Sequence, residues 1–146
     1  FLERSLRSVL PAARYEKKED GALYYEAFNE SDTLLGWCLP LSGKGYGGSI
    51  RLLAGVDRQG GITGIKVLEH AETPGLGSKI NEVEYKQTEP KFLQQFIGKK
   101  ANALVLVKGA TADGIQAITG ATISSRAVVT AVHSGVEAFL QQKKVP

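Results

Sequence analysis

Hydrophobic and polar positions along the chain divide it into short alternating runs near the front and one long helical run at the end. In "FLERSLRSVLP", Leu2, Leu6, Val9 and Leu10 share one helical face, and Pro11 stops the pattern, which predicts a short amphipathic helix. "ALYYEAF" (22–28) and "TLLGWCLPL" (33–41) read as strands separated by the turn cluster "NESD". "SIRLLAGVD" (49–57) and "ITGIKVLEH" (62–70) read as two more, joined by the hairpin loop "RQGG". Strands joined this tightly must be antiparallel.

The second half changes period. "TEPKFLQQFIGK" (88–99) predicts a helix with Thr88 as its cap, Phe92, Leu93 and Phe96 on the apolar face, and Gly98 at its end. "NALVLV" (102–107) predicts a short apolar strand. From about Ser125 to Gln142, Val128, Val132, Val136 and Leu140 recur every four residues, with Val129 and Phe139 beside them. Arg126, Thr130, His133, Glu137 and Gln141 form the wet face. The order predicts one α+β domain over residues 1–146, a mainly antiparallel sheet packed with helices and flanked by N-terminal and C-terminal helices.

Composition narrows the partners. A net charge of +3, with no basic run interleaved with aromatics, argues against nucleic acid. The single cysteine, Cys38, excludes an internal disulfide and a multi-cysteine metal or iron–sulfur site, and its strand setting predicts a buried, inert thiol. No apolar run is long enough to span a bilayer. The chain begins at Phe1 and contains no methionine, as expected of a processed or trimmed piece of a longer protein, in which an anchor would lie upstream.

Candidate chemistry sits in three glycine-rich stretches. "GKGYGG" (43–48) is neither a P-loop nor a Rossmann fingerprint, since a strand follows it rather than a helix. "ETPGLG" (72–77) is a tight turn whose backbone can approach a flat ligand closely. "TGAT" (119–122) stands directly before a helix, where unpaired amides bind phosphate or carboxylate. On position alone, Thr122 or Ser124 also reads as a simple N-cap. An earlier Gly-Ala-Thr, 109–111, has no helix behind it. Neither threonine has a general base at a fixed spacing, so neither reads as an autonomous nucleophile. His70 adjoins the ETPGLG loop and His133 lies on the wet helical face; both read as surface histidines. Glu72 and Asp113 do not form a hydrolytic carboxylate pair by position.

Taken together, "GKGYGGSIRLLAGVD", "HAETPGLGSKI", "FLQQFIGK" and "TGATISSRAVV" resemble, in that order, the FMN-binding domain family, and most closely the G subunit of the Rnf electron-transport complex, with the C subunit of the sodium-translocating NADH:quinone reductase as a relative. The resemblance implies a flavoprotein electron carrier with FMN as cofactor, attached by a phosphoester to the last threonine of the S/T-G-A-T motif, here Thr122. A separate flavin transferase would make that bond from FAD. The implied cofactor-binding set is Thr119, Gly120, Ala121, Thr122, Ile123 and Ser124 with Glu72, Thr73, Pro74, Gly75, Leu76 and Gly77, joined by Tyr46 and Gly47. Catalytic and metal-ligating residues are not implied. The resemblance also implies other membrane subunits as partners, an upstream N-terminal anchor and an extracytoplasmic position. One position departs from the family motif: an aspartate usually stands six residues before the modified threonine, where this chain has Gln116. Two other readings compete: a flavin-binding sensor domain of a membrane regulator, and a non-covalent anion- or ligand-binding module in which TGAT is only a helix cap.

Overall fold

The computed structural model describes residues 2–144. Helix α1 (Leu2–Val9) leads into five strands: β1 (Arg14–Glu19), β2 (Leu23–Phe28), β3 (Leu34–Lys44), β4 (Ser49–Asp57) and β5 (Ile62–Glu69). They pair in sequence order, each antiparallel to the next. A 3-10 turn at Gly77–Asn81, the short helix α2 (Lys91–Gln94) and a second 3-10 turn at Ala101–Ala103 follow. Strands β6 (Leu106–Val107) and β7 (Ile115–Gln116) form a small parallel pair, and helix α3 (Thr122–Lys143) closes the chain. This is the expected α+β arrangement.

The sheet is covered on both faces, and strand alternation decides which residue goes where. Ile50, Leu52, Ala54 and Val56 of β4 face α3, whose Val128, Val132 and Val136 are fully buried against them. Phe139 meets Tyr24 and Trp37 edge-on, with ring centroids 5.1 and 5.3 Å apart. On the opposite face, Leu6, Val9 and Leu10 pack on Tyr25, Ala27, Cys38 and Leu53. Gly55 and Gly64 are paired across β4 and β5, and a Cβ on either would run into the Val9 backbone. The missing side chains let the end of α1 lie directly on the sheet, where the Thr63 hydroxyl donates to the Val9 carbonyl at 2.6 Å. Cys38 is fully buried, and burial pushes its thiol up to about 12.

Three local expectations are corrected, and one strand, β1, is invisible to the hydrophobic pattern. Strand β1 carries no hydrophobic signal: RYEKKE has no buried residue and bears charge on both faces. It is an edge strand, held by ladder bonds to β2 and fringed by Lys18–Glu16 and Lys18–Glu26 ion pairs, a composition that keeps further strands from adding. The helix expected over 88–99 shrinks to α2, with Pro90 rather than Thr88 at its cap, because Pro90 disfavours helical backbone at Glu89 before it and is itself extended, at ψ 126°. Phe92, Leu93 and Phe96 are nonetheless buried as expected, and Gly98, at φ +85°, ends the turn. The apolar run 102–107 gives a 3-10 turn and two strand residues, not a full strand. Finally, α3 starts at Thr122, three residues before the anticipated Ser125.

Candidate functional site

The three glycine-rich stretches converge on one buried carboxylate. Glu72 is 5% exposed. Its Oε1 accepts from the Tyr46 amide at 2.8 Å and from the Ser124 hydroxyl at 2.5 Å, and its Oε2 accepts from the Gly47 amide at 2.8 Å. The Glu72 amide in turn donates to His70 Nδ1 at 3.1 Å. One side chain thus joins the β3–β4 turn, the ETPGLG loop and the first turn of α3. Burial by itself would raise the Glu72 carboxyl; the Ser124 hydroxyl and the amides of Gly47 and Tyr46 outweigh it and hold the group below its ordinary value of 4.5.

This carboxylate explains three of the glycines. A Cβ on Gly77 would strike the Ser124 hydroxyl and sit 2.8 Å from Glu72 Cβ. On Gly47 it would strike the Ala71 carbonyl and come within 3.1 Å of Glu72 Oε2, and on Gly45 it would reach Ile50 Cδ1 at 2.7 Å. Gly45 and Gly47 of GKGYGG and Gly77 of ETPGLG therefore make room for Glu72 and Ser124. Sequence alone does not reveal this role, because it links residues 52 positions apart.

Above this joint lies a cleft of about 620 Å³, lined by Tyr46, Thr73, Leu76, Gly77, Gly120, Ala121, Thr122, Ile123 and Ser124. Its lining carries no charged side chain, and Tyr46, Leu76 and Ile123 keep 71%, 49% and 56% of their surfaces exposed at its edges. One aromatic and two aliphatic side chains thus stand at the edges of the cleft. The remaining expected contacts stand behind it: Gly47 and Glu72 in the joint, and Pro74 and Gly75 in the turn closed by Leu76 and Ser78 amides donating to the Thr73 carbonyl, each at 3.1 Å. Thr119 is exposed and faces a second, more polar cleft of about 480 Å³ that also contains Gln116, Lys79 and Lys91.

The start of α3 aims into the main cleft. Gly120, at φ +79°, turns the chain, and Ala121 occupies the cap position without a side-chain cap bond. Ser125 is the first residue to bond back along the helix, to the Ala121 carbonyl at 3.0 Å, so the amides of Thr122, Ile123 and Ser124 are the open ones. No acidic residue stands in this first turn. The simple N-cap reading is therefore corrected: Ser124 is committed to Glu72, and Thr122 is the first helical residue rather than the cap. Among the described residues the half-buried Thr122 hydroxyl has no hydrogen-bond partner. In the earlier copy, by contrast, Thr111 Oγ1 accepts from the Gly114 amide at 2.9 Å on an exposed turn. His133 is exposed on α3 and away from the cleft, and no cluster of His, Cys, Asp and Glu suited to a metal ion occurs among the described residues.

The fold and cleft define a class: an α+β module that holds a flat, partly apolar ligand between glycine loops, with its anionic end at an open helix start. A family model described as FMN-binding domain matches residues 45–137. The G subunit of the proton-translocating ferredoxin:NAD(+) oxidoreductase complex of Clostridium ljungdahlii is 35% identical over 134 residues, covering 91% of this chain and 69% of that protein. The G subunit of the ion-translocating oxidoreductase complex of Methanosarcina acetivorans is 38% identical over 146 residues, covering 92% and 73%. Among solved structures, NqrC of Shewanella oneidensis superposes with a TM-score of 0.70 at 25% identity over 97% of this chain and 74% of that one. The chain belongs to the FMN-binding domain family, and FMN is its cofactor.

The residues present fit that group. The uncharged cleft with apolar edges suits a flavin ring, and the open amides of Thr122, Ile123 and Ser124 suit its phosphate. Among the described residues no helix is long and apolar enough to cross a membrane.

Proposed function

We propose that this chain is the FMN-carrying part of a membrane-bound, ion-translocating oxidoreductase, and that its FMN is joined through a phosphoester to Thr122. The observation that carries the assignment is the contrast in hydroxyls: Thr122 opens the cleft at an uncapped helix start with its hydroxyl unengaged, while Thr111 is used up in a turn. When bound, FMN supplies one- and two-electron redox chemistry. The protein's own work is to hold and orient. Glu72 and Ser124 lock the Gly43–Gly48 turn and the ETPGLG loop to α3, so the cleft walls keep their spacing. Leu76 and Ile123 shield a bound ring, and the first amides of α3 face the single negative charge that a phosphodiester retains.

Attachment needs a second protein. Among the described residues no side chain hydrogen-bonds the Thr122 hydroxyl as a general base would, which suits a separate flavin transferase that moves FMN from FAD to the hydroxyl and releases AMP. A phosphoester would keep the cofactor in place on the extracytoplasmic side of a membrane, where lost FMN is not replaced. The neighbouring subunits of the complex would then exchange electrons with it, and an anchor preceding this domain would tether it. Relatives that are G subunits of such complexes support this reading; the substrates and coupling ion belong to the whole assembly.

Coexpression with a flavin transferase, followed by denaturing chromatography, tests this. Flavin absorbance is expected to travel with the unfolded protein. Flavin that separates completely on unfolding would contradict the phosphoester and leave only non-covalent FMN.

A further inference from the structure

The cleft that takes the flavin has no charged lining residue, yet the phosphate it must accommodate is an anion. Six cations of the described chain, Arg7, Arg14, Lys17, Lys18, Arg51 and Lys91, are in ion pairs, and none of them lines this cleft. A second groove, of about 580 Å³, continues the cleft past Ile123, which lines both. It runs between the end of β3 and α3 and brings in two cations, Lys44 and Arg126. Neither forms an ion pair among the described residues, and no acidic residue lines the groove.

Arg126 stands four residues after Thr122 on α3, on the same helical face. Side chains on a helix lean toward its N-terminus, so a long side chain covers the turn before its own Cα. For Arg126 that turn is the one bearing Thr122. Lys44 approaches from the other wall, where Gly43 packs so tightly on α3 that a Cβ would lie 2.8 Å from the Ala127 carbonyl. The strand end and the helix are therefore held at a fixed spacing.

We propose that Arg126 is the principal counter-ion for the flavin phosphate, with Lys44 as a weaker second, so that the groove beyond Ile123 is the anionic half of the cofactor site. This rests on the flavin reading of the cleft. A guanidinium offers a planar fork of donors to phosphate oxygens, whereas Lys44 contributes a point charge. Both are exposed, so the contribution is modest and depends on salt.

The test is titration of FMN and, in parallel, of riboflavin, which lacks the phosphate, into the unloaded chain at low salt, read by flavin fluorescence. Arg126→Ala should weaken FMN about fivefold and leave riboflavin unchanged, Lys44→Ala should weaken FMN about twofold, and Arg126→Lys should recover part of the loss. At about 0.5 M salt the difference between wild type and Arg126→Ala should largely vanish. An FMN dissociation constant identical in Arg126→Ala and wild type would overturn the proposal, as would equal weakening of FMN and riboflavin. If the wild-type chain bound neither flavin, the flavin reading would fail, and the counter-ion with it.

Discussion

Gly-Ala-Thr occurs twice in this chain, eleven residues apart, and the two copies meet different fates. At 109–111 the threonine is exposed, and its hydroxyl closes a turn onto the Gly114 amide. At 120–122 the glycine reverses the chain at φ +79°, and the threonine begins a 22-residue helix with its hydroxyl turned loose beside a cleft. Local composition is the same in both. The difference comes from what lies behind: a helix start, and a buried glutamate that fixes that helix to two loops. A tripeptide acquires chemistry only when tertiary contacts hold open space and open donors around it.

The comparison can be broken most severely behind the second copy. Gly77→Val would push a branched side chain into the contact between Glu72 and Ser124, and we expect a loss of about 2–4 kcal/mol in urea unfolding together with loss of FMN binding. Glu72→Ala removes the acceptor for two amides and a hydroxyl; about 2–3 kcal/mol should be lost in the same measurement, with amide exchange accelerating at Tyr46 and Gly47. Unchanged stability and unchanged FMN binding in both variants would refute the central role of the joint.

A smaller effect sharpens the same point through pH. The Glu72 carboxyl is held below its ordinary value of 4.5 in the folded protein, so its contribution is fully present above that value. It is lost as pH falls through the lower folded value. Glu72→Gln should therefore flatten the acid limb of the stability curve, a change visible in thermal melts as pH falls below 4.5. Ser124→Ala, which leaves Glu72 with its two backbone donors, should cost about 1–2 kcal/mol. Thr111→Ala, at the first copy, removes one exposed turn bond and should cost about 0.5 kcal/mol, with no change in FMN binding.

The sheet and the long helix are legible because their periods are regular: Ile50, Leu52, Ala54 and Val56 alternate, and Val128, Val132 and Val136 recur at fourfold spacing. Strand β1 is not, because ladder bonds to β2, rather than burial, hold Arg14–Glu19 in place. The truncation of the helix near Phe92 is readable from Pro90 but is outweighed by the apolar pattern around it. At the site, the three glycine motifs stand out in sequence, and each suggests a ligand loop. What they have in common, the contact of Glu72 with Tyr46, Gly47 and Ser124, depends on segments 25 to 52 residues apart meeting in space. No periodicity encodes that. The open Thr122 hydroxyl is equally hidden, since a threonine before a helix is ordinarily its cap.

Which threonine carries the cofactor is the central claim. Intact-mass spectrometry of Thr111→Ala and Thr122→Ala, each coexpressed with a flavin transferase, decides it. Thr111→Ala should gain the mass of one FMN less one water, and Thr122→Ala should gain nothing. An adduct retained in Thr122→Ala, or lost in Thr111→Ala while the protein remains folded, would contradict the assignment.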